Sequence, residues 1–163
     1  MERTIGVVAE NRPGVFSRIS GLMERRGFQV KGVTAGVTQQ PGRSRFTLVI
    51  AGDDRKASQA VRQIRKMVET VEVSDLSSGF CVERCMMLMK FSLPAERRAE
   101  LFDAMNAFPH TVASEHGDTV ILETTGTGEN LDACLETVRH LGLVEAVKSG
   151  PLALDARTTT TTF

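Results

Sequence analysis

Ile5-Gly6-Val7-Val8-Ala9-Glu10-Asn11-Arg12-Pro13-Gly14-Val15-Phe16-Ser17-Arg18-Ile19 changes period halfway along its length. Ile5, Val7 and Ala9 alternate as in a strand with one buried face, whereas Val15, Phe16, Ile19, Leu22 and Met23 recur at helical spacing. The turn between them, Asn11-Arg12-Pro13-Gly14, is therefore expected to deliver free backbone N–H groups at a helix N-terminus, a setting that suits a small carboxylate. Pro13 fits the first helical position, where its missing N–H would be unpaired anyway. Gly14 has no Cβ and lets a ligand approach the backbone. Asn11 either caps the helix or holds a ligand's polar end. The same four residues also fit an ordinary capped turn.

Outward from this stretch, Gly27 closes the first helix, which is expected over Val15 to Arg26. Val33, Ala35 and Val37 alternate, Gln39-Gln40-Pro41-Gly42 turns, and Phe46, Leu48 and Ile50 alternate again, which reads as a hairpin. Gly52-Asp53-Asp54 offers a natural cap to a second helix whose stripe is Ala57, Ala60, Val61, Ile64, Met67 and Val68, and Val71 and Val73 open a last strand. The order is βαββαβ. It recurs from Cys85: an apolar run to Phe91, a helix from about Pro94 carrying Leu101, Phe102 and Met105, strands around a turn at His116-Gly117-Asp118, a helix with Leu131, Cys134, Leu135, Val138 and Leu141, and a strand from Leu143 to Val147. The expected fold is α+β, two tandem ferredoxin-like βαββαβ domains over 1–76 and 77–157, joined by the polar stretch Ser74 to Gly79. The threonine-rich tail, 158–163, is low in complexity and expected to be disordered. Gly21, inside the first helix, implies a close neighbour, because glycine there costs about 1 kcal/mol in propensity.

Composition narrows the function classes. The 163 residues carry 20 Lys and Arg against 20 Asp and Glu. The first 76 residues hold 13 basic and 8 acidic side chains, net +5, and the remainder is net −5; most of these are read as solvated surface charges. No apolar run is long enough to span a bilayer, and Met1-Glu2-Arg3-Thr4 leads directly into a strand without a leader, so the expectation is a cytoplasmic protein with no membrane partner. Three cysteines, Cys81, Cys85 and Cys134, suit reduced packing residues better than a disulfide framework.

Catalytic and cofactor motifs are not found. Cys81 and Cys85 have no second ligand pair for zinc, and His110, His116 and His140 lie far away in sequence. Gly126-Thr127-Gly128 lacks the third glycine of a dinucleotide fingerprint, and there is no Walker lysine or nucleophile motif. The same βαββαβ order serves RNA-recognition domains, but Arg45-Phe46-Thr47-Leu48-Val49-Ile50 lacks their stacking pattern and the chain has no Tyr or Trp, so nucleic acid is not expected as a partner. No metal or cofactor is expected on this chain.

Asn11-Arg12-Pro13-Gly14-Val15-Phe16-Ser17-Arg18, Gly21-Leu22, Arg25-Arg26-Gly27-Phe28, Pro41-Gly42-Arg43-Ser44-Arg45-Phe46-Thr47 and Glu83-Arg84 resemble the small, regulatory subunits of acetolactate synthase (acetohydroxyacid synthase). Glu123-Thr124-Thr125-Gly126-Thr127-Gly128-Glu129-Asn130-Leu131-Asp132-Ala133 and Val147-Lys148-Ser149-Gly150 resemble that family's C-terminal domain. The resemblance implies an ACT domain at 1–76 that forms a homodimer and binds a branched-chain amino acid, usually valine, at the dimer interface. The implied effector residues are Asn11, Pro13, Gly14, Val15, Phe16, Gln29 and Val30. The carboxylate would meet the N–H groups of Gly14, Val15 and Phe16, and the amino group would meet Asn11 and residue 29 or 30 of the partner. It further implies a non-catalytic chain that docks on a large subunit carrying thiamine diphosphate, Mg and FAD, raises its turnover and confers feedback inhibition. A free-standing ACT-type sensor of another protein is the alternative. Gln29 departs from the family's asparagine by one methylene, a change worth roughly 1–3 kcal/mol of discrimination in a tight site. Gln39-Gln40 and Pro151-Leu152-Ala153-Leu154 also depart from the family pattern.

Overall fold

The computed structural model describes residues 1–77 and 79–157, and the expected disorder of 158–163 lies outside the described residues. In chain order the elements are β1 (Glu2–Glu10), α1 (Val15–Arg25), β2 (Val30–Val37), β3 (Arg43–Ala51), α2 (Asp54–Ile64), β4 (Thr70–Asp75), β5 (Cys81–Ser92), α3 (Arg98–Met105), β6 (His110–His116), β7 (Thr119–Gly126), α4 (Gly128–Val138), β8 (Leu143–Lys148) and β9 (Leu152–Asp155). The strand orders β2-β3-β1-β4 and β6-β7-β5-β8 are antiparallel throughout. This is the α+β tandem ferredoxin-like fold that the periodicities predict.

Among the described residues the first unit comprises Met1–Val82 and residues 151–157. Val15, Ile19 and Met23 of α1 and Ala57, Ala60, Val61 and Ile64 of α2 turn inward. They pack against Ile5, Val7, Phe46, Leu48 and Ile50, every one of them buried, and each large side chain so buried contributes about 1.5–3 kcal/mol. α1 stops at Gly27, whose φ of 69° is left-handed; the N–H groups of Gly27 and Phe28 donate to the carbonyls of Glu24 and Met23, both at 2.9 Å. That pattern satisfies the last helical carbonyls, and glycine is the residue that reaches it without strain.

Two local readings are corrected. α2 ends at Ile64 rather than running on through Met67 and Val68: the Ile64 carbonyl accepts from Met67 N–H at 3.0 Å and from Thr70 Oγ1 at 2.9 Å, which closes the helix, and Val68 is 95% exposed. The stretch from Ser74 is no free joint either. β4 runs to Asp75, Leu76 is buried, and Ser77 Oγ accepts from Thr4 N–H at 3.0 Å. Leu76 is held because Gly6 leaves room: a Cβ there would stand 3.0 Å from Leu76 Cδ1.

The C-terminal segment differs from the expected 77–157 unit. Residues 151–157 belong with the first unit; β9 pairs with β5 and lies against the face of the first sheet opposite α1 and α2, where Arg45 points. Ala153 is buried, its carbonyl accepts from Arg45 Nη2 at 3.0 Å, and Pro151 Cδ lies 3.8 Å from where a Gly32 Cβ would be. Gly6, Gly32 and Gly36 leave gaps between the side chains of this face, such as Arg45, Thr47 and Val49, and β9 lies against it.

In the second unit, Glu83–Gly150, burial along β5 alternates: Cys85, Met87, Met89 and Phe91 face the helices, while Met86 and Leu88 are exposed. Leu101 and Met105 of α3 and Leu131, Cys134 and Val138 of α4 complete this core. Helix α3 begins at Arg98, after a 3₁₀ turn over Ala95–Arg97, because Pro94 is extended. Cys85 and Cys134 are free, and burial pushes both thiols up, away from thiolate reactivity. Among the described residues no helix is long and apolar enough to cross a membrane.

Candidate functional site

The turn after β1 is held by the backbone. Glu10 N–H donates to the Glu69 carbonyl at 2.9 Å and Asn11 N–H to the Gly42 carbonyl at 2.8 Å. The chain then reaches Gly14, which caps α1 with φ 81° and ψ −2°. Pro13 therefore sits in the turn and not at the first helical position, and the Asn11 side chain does not cap the helix. Glycine at 14 is a requirement of the backbone, since an L side chain in this conformation costs about 1–2 kcal/mol. Val15 N–H donates to the Arg12 carbonyl at 3.3 Å, and the first helical bond is Arg18 N–H to the Gly14 carbonyl at 3.0 Å. Consequently, among the described residues, the N–H groups of Gly14, Phe16 and Ser17 have no backbone partner, and Val15, expected to be free, is engaged.

Gly14 and Phe16, though not Ser17, border a cavity of 320 Å³ lined also by Asn11 and Val15, by Ala35, Gly36 and Val37 of β2 and by Ser44 and Phe46 of β3. Phe16 stacks on Phe46 with ring centroids 6.1 Å apart and remains 47% exposed. One wall is thus apolar and the other presents amide hydrogens. Positive potential at the helix start is reinforced by Arg18, whose Nη1 lies 3.1 Å from the position of a Gly14 Cβ while its Nε pairs with Glu69 at 2.8 Å. Arg12 pairs with Glu10 at 2.9 Å on the rim. An N-terminal amide cluster beside a small apolar wall is chemically suited to the carboxylate and aliphatic side chain of one amino acid.

Gln29 and Val30 are not among the lining residues. They stand at the opposite end of β2 from Val37, seven residues or roughly 23 Å away along a strand. The Gln29 carbonyl accepts from Ala51 N–H at 2.9 Å, and its side chain points to solvent. Ala35, Gly36, Val37 and Ser44 escaped the sequence reading because they come to the cavity through strand pairing, Val37 opposite Ser44 and Gly36 opposite Arg45. The one signal available was the run of small residues in β2. Gly21 has no close backbone neighbour; the atoms nearest a Cβ there belong to the exposed, flexible side chain of Arg25, at 3.1 Å. Among the described residues no cluster of three or more His, Cys, Asp or Glu is placed to hold a metal ion.

A tandem ferredoxin-like chain whose first unit opens an amino-acid-sized cavity at a helix start defines an ACT-type regulatory protein. Residues 5–72 match the model of the AHAS small subunit-like ACT domain, and residues 84–157 match the small subunit of acetolactate synthase. The chain is 35% identical over 154 residues to a protein of Archaeoglobus fulgidus named probable acetolactate synthase small subunit, covering 94% of this chain and 96% of that one. It is 30% identical to the acetolactate synthase small subunit of Mycolicibacterium smegmatis, covering 93% and 89%. The crystal structure of the small subunit from Thermotoga maritima superposes with a TM-score of 0.89 at 27% identity, covering 98% of this chain and 99% of that one. The chain belongs to the acetolactate synthase small-subunit family, regulatory subunits with an ACT domain.

Proposed function

We propose that this chain docks on a catalytic large subunit of acetolactate synthase, raises its turnover, and lowers it again when valine or another branched-chain amino acid fills the cavity at Gly14. The observation that carries the effector reading is the set of unpaired N–H groups at Gly14 and Phe16 facing a 320 Å³ space with an aromatic wall. The large subunit would hold thiamine diphosphate, Mg and FAD on its own chain, and the present chain would act in the cytoplasm without performing chemistry.

The site is completed by a second copy. β2 is an edge strand that exposes Val37, so a two-fold antiparallel pairing along β2 would bring the Val30 end of each protomer beside the Val37 end of the other. Gln29 and Val30, remote from the cavity of their own chain, then become neighbours of the partner's cavity and can offer the acceptor that an ammonium group needs. Inhibition requires the amino acid to bind one state of the complex more tightly than the other; a coupling of about 1–3 kcal/mol suffices.

The test is acetolactate formation by the cognate catalytic subunit, with and without this protein, at zero and millimolar valine. Stimulation that valine reverses is expected, and Gly14→Asp, which puts a carboxylate where the ligand's would sit, should abolish the reversal while keeping the stimulation. Failure to stimulate would overturn this reading in favour of a free-standing sensor. Valine inhibition at unchanged concentration in Gly14→Asp would remove the cavity from the mechanism.

A further inference from the structure

The face of the first sheet opposite α1 and α2 contains a second polar site. Its rows are set by strand register: Val8, Arg45 and Gly36 lie side by side across β1, β3 and β2, next to Gly6, Thr47 and Thr34. Arg45 spends Nη2 on the Ala153 carbonyl, yet its Nε–H is fully buried without an acceptor among the described residues. Thr34 Oγ1 is likewise buried without a partner. Both residues line one cavity of 220 Å³, with Thr47 and Gly36 on its floor and Leu152, Ala153 and Leu154 of β9 above it. A larger cavity of 570 Å³ shares Arg45 and Leu154 and adds Arg43 and Glu72.

Arg45 and Thr34, each with an unmet buried polar atom, line the same half-open space, where a ligand atom could meet both. A guanidinium presents donors in a planar fork that matches carboxylate and phosphate oxygens, and a threonine hydroxyl beside it supplies a further donor. We propose that the cavity beneath β9 binds a small oxyanion, a carboxylate or a phosphate, held by Arg45 Nε–H and Thr34 Oγ1–H. Leu152 and Leu154 limit the room for anything but a short body. Glu72, across Val8 from Arg45, disfavours a second negative charge in the outer space and selects a ligand with one anionic end. The site lies across β2 from the cavity at Gly14, with Gly36 and Val37 forming the shared wall, and does not depend on the identity of the amino-acid effector.

The experiment uses the full chain, titrated with sodium phosphate and separately with sodium acetate, against sodium chloride at equal ionic strength. Thermal unfolding and the ¹⁵N–¹H resonance of the Arg45 Nε–H, assigned by its loss in Arg45→Gln, are followed together. One of the two anions is expected to raise Tm saturably above the chloride control and to move the Arg45 resonance; whichever does so identifies the tetrahedral or the planar oxyanion as the ligand. Thr34→Val keeps the side-chain shape, so it tests the site without depending on the folding of Arg45→Gln, and it should weaken apparent affinity roughly tenfold, as expected for one lost hydrogen bond. In Gly14→Asp the shift of the Arg45 resonance should persist. An unmoved Arg45 resonance with both anions, or a response preserved in Thr34→Val and Arg45→Gln, would overturn the proposal whether or not valine regulates the complex.

Discussion

The two units share their backbone tethers and part company in the side chains those tethers carry. In the first, Glu10 N–H and Asn11 N–H reach the carbonyls of Glu69 and Gly42; in the second, Ser92 N–H and Leu93 N–H reach those of Gly142 and Asp118, both at 2.9 Å. Where the first unit then exposes Asn11 and opens at Gly14, the second buries Leu93 and inserts Pro94 and a 3₁₀ turn containing Glu96, an acidic residue that answers the helix dipole from its own chain. The edge strands diverge in the same way. β2 exposes Val37 and carries one charge, Lys31, whereas β6 carries His110, Glu115 and His116, with Arg98 paired to Glu115. The polar ends of β6 discourage strand addition, and the largely exposed Val37 of β2 invites it. One fold thus leaves an open cavity at one copy and a closed turn at the other, by changing a few residues after the first strand and along the edge.

The comparison can be broken most forcefully at two glycines with the same φ of 81°. A Cβ on Gly142 would stand 2.5 Å from the Ser92 carbonyl oxygen, while one on Gly14 would meet only the movable Arg18 guanidinium at 3.1 Å. Gly142→Ala should therefore cost more than about 3 kcal/mol in urea unfolding and Gly14→Ala about 1–2 kcal/mol. Equal losses would mean that the closed turn of the second unit is not more tightly built. Next in size is the edge contrast. Val37→Lys should weaken self-association at least tenfold, about 1.4 kcal/mol, by analytical ultracentrifugation, and Val112→Lys on β6 should leave it unchanged. The reverse ranking would reassign the dimer to the other unit.

Gly21→Ala is expected to stabilise the chain by about 1 kcal/mol, since the helix gains propensity and only a flexible arginine must move. Destabilisation would reveal a neighbour that a single chain does not contain. The smallest effect concerns β9. Arg157 holds the Asp155 carboxyl down to about 2 through side-chain and backbone hydrogen bonds. Because the folded value lies below the unfolded one, its contribution is present above about pH 4 and is lost as pH falls towards 2. A carboxyl resonance for Asp155 titrating near 4 would show that the pair does not form in solution.

Alternation and helical spacing in the amino-acid sequence sufficed for both βαββαβ units, for the Asp53 cap and for the Gly27 stop, because these depend on residues within a few positions of one another. The turn at Asn11 to Gly14 was legible for the same reason, although the role of Pro13 and the engagement of Val15 N–H were not. Residues that reach a cavity across the sheet could be found only from the tertiary structure: Ala35, Gly36, Val37 and Ser44 at the cavity beside Gly14, and Thr34, Arg45 and β9 on the opposite face. Their placement depends on strand register and on what covers a glycine-lined surface, and both are set by pairings between segments far apart in the chain.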